Sequence, residues 1–169
     1  RLSSLAYLPM QERSAIADAV MPVRNHGITL SGSAASDNVS WAVGAFNNWV
    51  DSGESFSDTA SVLVGRATWA PAFLQSESNL LHVGLGLRRS DAKQPLRARS
   101  EPEFNNAPLY VDTDLLSADD QMTYNLEAYW RNGPYMLGFE YIGTDVNSPQ
   151  SGNPFFSGYH LTGSWAVTG

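Results

Sequence analysis

Hydrophobic and polar residues alternate with period two along most of the chain beyond residue 26. The clearest run spans 121–144. Met122, Tyr124, Leu126, Ala128 and Trp130 alternate there with Gln121, Thr123, Asn125, Glu127, Tyr129 and Arg131. After Asn132-Gly133, Tyr135, Leu137, Phe139 and Tyr141 alternate with Met136, Gly138 and Glu140. Successive side chains of a strand point to opposite faces, so each run predicts a strand with one apolar and one polar face. Asn-Gly between two such runs predicts a hairpin with a type I′ turn, whose central residues both need φ > 0. On the apolar face the aromatics stand towards the strand ends, with Leu and Ala between them. That distribution fits a membrane-crossing hairpin: lipid outside, a polar lumen inside and aromatic girdles at the interfaces.

The same alternation predicts further strands at 27–34, 38–49, 60–71, 80–88 and 156–168, giving seven in a meander. In the third, Arg66 decides the register. An arginine on lipid at mid-bilayer costs about 2–4 kcal/mol, so Arg66 is expected to face inward. Residues 11–20 read as a short helix ended by Met21-Pro22, because proline disfavours helix in the residue before it. Residues 90–120 show little alternation outside 97–101, and a long unpatterned insertion in a compact domain is usually functional. Short connections (35–37, 132–133) alternate with long ones (50–59, 146–155), as in outer-membrane barrels. Strands in hydrocarbon need a closed barrel, and bacterial single-chain barrels have even strand numbers. The chain therefore reads as an interior piece of a larger barrel, or residues 97–101 supply an eighth strand of a small one.

Composition narrows the classes. Charged residues make up 16% of the 169, and no stretch is apolar for long enough to form a transmembrane helix. Mean hydropathy is −0.24, compatible with strands of which half the residues face water. A net charge of −7 argues against a nucleic-acid partner, which would select a basic stripe. There are no cysteines, which excludes disulfides and thiolate metal sites. His26, His82 and His160 lack metal-ligand spacing, so neither metal nor cofactor is expected. No nucleophile-elbow motif is present. Ser164 and His160 share a face about 13 Å apart by strand rise, too far for a nucleophile and its base. An enzyme is not expected. The basic residues are nearly all arginine, with Lys93 the single lysine.

Several short motifs resemble the phosphate-selective porin O/P family. They are Gln11-Glu12-Arg13-Ser14 with Pro22-Val23-Arg24-Asn25-His26-Gly27, and Gly65-Arg66-Ala67-Thr68-Trp69-Ala70-Pro71 followed by Leu80-Leu81-His82-Val83-Gly84. Further on come Arg97-Ala98-Arg99-Ser100-Glu101-Pro102-Glu103, Val111-Asp112-Thr113, and Asn125-Leu126-Glu127-Ala128 with Asn132-Gly133-Pro134. Their order runs through nearly the whole chain. The resemblance implies an all-β fold, an antiparallel transmembrane β-barrel of about sixteen strands with a long inward-folding loop. This chain would be part of that single domain. Residues 1–23 would be a loop with a short helix, 24–89 strands, 90–120 the constriction insertion and 121–169 strands. The resemblance also implies a homotrimer in the outer membrane of a Gram-negative bacterium, in contact with lipid and lipopolysaccharide. Small anions, down to phosphate, would diffuse passively through it.

Pores select anions with arginine and lysine side chains. By alternation Arg66, Arg88 and Arg131 face the lumen. Arg97 and Arg99, two residues apart, project to one side of the insertion if it is extended. Arg13 and Arg24 come from the other non-strand region. Arg97, Arg99, Arg13, Arg24, Arg66 and Arg88 are the expected anion contacts, the first two foremost. The alternative is that these arginines pair with Glu101, Glu103, Glu127 and Glu140 and stiffen the wall. Two other classes stay open at this point: a soluble β-sandwich binding module, and a small structural outer-membrane barrel.

Overall fold

The computed structural model describes residues 15–20, 25–49, 59–71, 76, 78–92, 95–101 and 108–167. A short helix α1 (Ala15–Val20) precedes nine strands: β1 (His26–Ala34), β2 (Val39–Asn47), β3 (Ser61–Trp69), β4 (Asn79–Asp91), β5 (Arg99–Ser100), β6 (Val111–Asp112), β7 (Asp120–Asn132), β8 (Tyr135–Asn147) and β9 (Phe155–Trp165). Seven of them form one antiparallel sheet in the order β1-β2-β3-β4-β7-β8-β9, the meander that the alternation predicts. The sheet is open at β1 and β9 among the described residues. Its strands run from 9 residues in β1 to 13 in β4, β7 and β8. About 9–11 residues suffice for a tilted strand to cross a bilayer core. No described helix is long and apolar enough to cross a membrane.

The eighth-strand alternative does not hold. Residues 97–101 never join the sheet; β5 pairs only with β6, in a separate two-stranded ladder. Its backbone groups are already satisfied within the insertion. Thr113 N donates to Ala98 O at 3.0 Å, and Tyr110 N donates to Ser100 O at 3.0 Å. Leu96 and Leu116 exchange bonds of 2.8 and 2.7 Å. The helix expected over 11–20 is present as α1, while residues 11–14 lie outside the described residues.

One turn differs from expectation. The hairpin closes with Asn132 opposite Tyr135, so Gly133 and Pro134 are its central pair, one residue later than an Asn132-Gly133 turn. Only Gly133 has positive φ, at 54°. The reason is Pro134. Centring the turn on Asn132-Gly133 would make residue 134 the first paired residue of the second strand, and proline has no N–H to give. Shifting by one puts glycine at the first central position, the type II′ arrangement, where it alone needs φ > 0.

The two faces of the sheet differ as the alternation requires. On the outer face Ile28 is 82% exposed and Leu161 70%, with Leu30, Leu63, Leu126 and Leu137 also exposed. Trp41, Trp69, Trp130, Tyr135 and Trp165 all stand on this face near the strand ends that carry the short connections. The Tyr135 and Trp165 rings stack at 6.1 Å. Charged outward residues of the described strands, Arg89, Asp91, Asp120 and Asp145, all lie within three residues of the opposite end. Between the two levels the outer face is apolar. No second sheet packs on it among the described residues, whereas a sandwich buries its apolar faces against each other.

The small core lies on the inner face instead, in the upper half that carries the long connections. Val62, Ile142 and Val146 are buried there with Thr123, Thr144 and Ser90. The insertion between β4 and β7 is tied down beside them: Ser148 Oγ donates to Ser117 O at 2.6 Å, and Asp119 N to Asn147 O at 2.8 Å. Helix α1 packs against β5, β8 and β9. Its Ile16 occupies a socket at Gly158, where a Cβ would come within 2.9 Å of the Ile16 Cβ. The insertion and α1 therefore meet on the polar side of the sheet.

Asymmetry between the faces is directly measurable. In the full-length protein folded into lipid vesicles, Leu126→Arg should lower unfolding free energy by about 2–4 kcal/mol in a urea titration. Asn125→Arg, one residue away on the inner face, should cost less than about 1 kcal/mol. Equal losses would contradict the assignment of faces.

Candidate pore-lining site

The inner face carries Arg66 on β3, His82 and Arg88 on β4, Glu127 and Arg131 on β7, Glu140 on β8 and His160 on β9. Three of these meet at one atom. Glu127 Oε1 accepts from Arg66 NH2 and from His82 Nε2, the latter at 2.9 Å. Glu127 is 8% exposed, and a buried carboxylate is tolerated only when paired and hydrogen-bonded.

Arg66 and Glu127 sit on strands separated by β4, so their side chains must lie across it. The residues they cross are glycines: Gly86 is the register partner of Arg66, and Gly84 that of Glu127. A Cβ at Gly84 would fall 2.5 Å from Glu127 Oε1 and 2.7 Å from its Cγ. Absence of that one atom lets the carboxylate reach Arg66. A second carboxylate is handled alongside. Tyr129 OH donates to Glu140 Oε1 at 2.5 Å, and the Tyr129 ring lies 6.2 Å from that of His82.

Arg88 is placed differently. Its register partners are Val64 on β3 and Thr123 on β7. Its Nε and NH1 are buried and have no hydrogen-bond partner. Buried donors in this state are rare and call for an explanation. Arg88 therefore keeps buried donor capacity on the inner face.

The insertion brings Arg97 and Arg99 to one edge of the β5–β6 ladder. Arg97 forks onto Asp112, with Nε to Oδ1 at 2.8 Å and NH2 to Oδ2 at 2.6 Å. Such bidentate pairs are the strongest geometry available to arginine and carboxylate. Asp114 N also donates to Asp112 Oδ1 at 3.1 Å, from a residue with φ of 56°. The hydrogen bond from Arg97, then that from Asp114 N, hold the Asp112 carboxyl down to about 2. Arg99 is the register partner of Asp112, is exposed, and has no side-chain hydrogen bond to the described residues. Arg13 and Arg24 lie outside the described residues.

A family model described as phosphate-selective porin O and P matches residues 1–169, the whole chain. The chain belongs to the phosphate-selective porin O and P family. No curated protein and no solved structure matched it.

Porins are channels rather than enzymes, and the arginines of this porin are best compared by what already neutralises them. Arg66 is shared with Glu127, and Arg97 is forked onto Asp112. Arg88 has two buried donors without a hydrogen bond, and Arg99 is exposed with no side-chain bond to the described residues. Pairing with acidic residues was the alternative expectation for the wall, and Arg66 follows it through Glu127. The partner of Arg97 is Asp112, which the spacing did not single out. Residues 97 and 112 come together only because the insertion doubles back on itself, and alternation gives no signal for such a ladder. The Gly84/Gly86 pair was visible as small residues on a polar face, without a sign of what they make room for. Among the described residues no three His, Asp or Glu side chains converge in a way that could hold a metal ion.

Two outcomes follow from these contacts. Gly84→Val should force Glu127 off Arg66 and lower stability by about 1–3 kcal/mol, the usual cost of overpacking; urea unfolding in vesicles reads this. The Arg97–Asp112 pair has a pH signature. Because the folded pKa of Asp112 is about 2, below its ordinary 3.8, the pair contributes fully above pH 4 and is lost as pH falls through about 2. Protease nicking of residues 95–101 should therefore be constant from pH 5 to 8. Asp112→Asn should increase it at every pH in that window.

Proposed function

We propose that the chain forms part of an outer-membrane β-barrel of a Gram-negative bacterium, through which small anions, phosphate among them, diffuse passively. One observation carries the reading: a bare apolar outer face with Trp41, Trp69, Trp130 and Trp165 near one end, opposed to an inner face that gathers the arginines, α1 and the insertion. Lipid covers the first face, and water and solute pass the second. The barrel closes through further strands at the free edges of β1 and β9, since unpaired edges are not tolerated in hydrocarbon.

Anions are drawn by arginines that their neighbours leave incompletely neutralised. Arg99 leads, with Arg97 partly masked by Asp112, Arg66 held in the wall and Arg88 adding charge from donors buried beneath the inner face; Arg13 and Arg24 contribute from the segment before β1. Attraction of this kind is spread over several weak sites, which conduction needs if the ion is to leave again. As in the porin family that the sequence resembles, the assembly is a homotrimer bordered by lipid and lipopolysaccharide.

Reversal potentials in planar bilayers under a KCl gradient test the proposal with the full-length porin. Arg97→Ala with Arg99→Ala should lower the chloride-to-potassium permeability ratio by about two- to fivefold, since two elementary charges leave the path. An unchanged ratio overturns the role of the insertion.

A further inference from the structure

The Asp112 carboxylate is held as arginine holds an oxyanion. It accepts Arg97 Nε and NH2 at 2.8 and 2.6 Å, and Asp114 N at 3.1 Å. Arg99, its register partner across the β5–β6 ladder, adds a second positive charge near enough to act on it. We propose that Asp112 is a specificity-determining residue of the insertion: its carboxylate is a tethered competitor that occupies an oxyanion subsite built by Arg97, Arg99 and the Asp114 N–H. The proposal rests on the reading of the inner side as an anion path, and it names what limits the hold of that path on phosphate and sulfate.

The geometry of the fork comes first. A guanidinium offers its parallel N–H donors to carboxylate and phosphate oxygens alike, so a fork filled by one is closed to the other. The third donor, Asp114 N, converges on Oδ1, the same oxygen that Arg97 Nε reaches. Three donors on one small anion, with Arg99 alongside, make a set that a tetrahedral oxyanion can satisfy in place of the carboxylate.

Access and support complete the argument. The side chains of Arg97 and Asp112 are 40% and 27% exposed, so a dissolved anion can reach the pair. The ladder beneath them has its own bonds. Thr113 N donates to Ala98 O, Ala98 N to Thr113 Oγ1 and Tyr110 N to Ser100 O, each at 3.0 Å. Emptying the fork therefore leaves both arginines on their strand. A ligand on a short tether has an effective concentration in roughly the millimolar range. Free phosphate or sulfate below that level displaces Asp112 only in part, and the subsite stays mostly self-occupied.

Chloride conductance of the full-length porin in planar bilayers at neutral pH, titrated with inorganic phosphate and separately with sulfate, tests this. An oxyanion that lodges in the path lowers the chloride current, and its half-blocking concentration reads how tightly it is held. Asp112→Asn should lower that concentration by about fivefold, the scale on which one exposed ion pair binds. Asp114→Asn removes the same charge from the ladder without vacating the fork, at a φ that asparagine accepts, and should lower it by less than about twofold. Adding Arg97→Lys to Asp112→Asn should cancel most of the gain, because an ammonium keeps the charge and loses the fork. A second readout does not depend on conduction. Phosphate should slow protease nicking of residues 95–101 in Asp112→Asn by about twofold and change wild type little, since a ligand stabilises the state that binds it. Asp112→Ser, whose hydroxyl can keep the turn to Asp114 N, carries the same expectations if Asp112→Asn fails to fold. Equal shifts in Asp112→Asn and Asp114→Asn, or nicking of Asp112→Asn that phosphate does not slow, overturn the inference. A potassium-preferring porin in which phosphate still protects Asp112→Asn refutes the anion path and leaves the inference standing. A chloride-preferring porin with equal shifts in the two variants does the reverse.

Discussion

A strand that lies with one face on hydrocarbon leaves its polar side chains a single direction in which to point. That restriction organises the rest of the molecule. Seven strands obey it, and the charges that one expects to find scattered over a protein surface are collected on the inner face or pushed to one end of the outer face. Neighbouring strands are about 4.8 Å apart, so collected charges are close enough to meet their opposites. Arg66, His82 and Glu127 do so across three adjacent strands. The lipid-facing constraint therefore creates the inner ion pairs; no separate requirement has to be invoked for them.

Crowding on that face also explains its glycines. Long side chains lying flat over a neighbouring strand need that strand to carry no Cβ beneath them. Gly84 under Glu127 and Gly158 under Ile16 serve this need, one for an ion pair and one for a helix. Glycine in a strand interior usually weakens it. Here the loss is offset by contacts that any larger residue would block.

Most of the sheet was legible in the sequence because alternation is a one-dimensional record of a two-faced environment. The seven strands, the inward Arg66 and the apolar exterior could all be read from residue spacing. What could not be read depends on pairings distant in the chain or on a single atom. The β5–β6 ladder joins Arg97 to Asp112 without any periodic pattern, so an eighth wall strand looked equally open. The turn at Gly133-Pro134 turned on the N–H that Pro134 lacks, a detail that outweighed the stronger Asn-Gly signal. Side-chain partners were legible only by type: a glutamate was expected for Arg66, but nothing in the spacing joined His82 to it.

The wall and the insertion hold their charges in different ways. Charges in the wall are held by neighbours fixed in sheet register, as Arg66 is by Glu127 across β4. Charges on the insertion ride on a short ladder tied to the wall at Ser117, Asp119 and the base of β7, and through α1 to Gly158. The Asp112 carboxyl, held down to about 2 by Arg97 and the Asp114 N–H, keeps its pair with Arg97 ionised at neutral pH. The inner charges therefore fall into two groups: one fixed by strand register in the wall, the other placed by how the insertion folds back on itself.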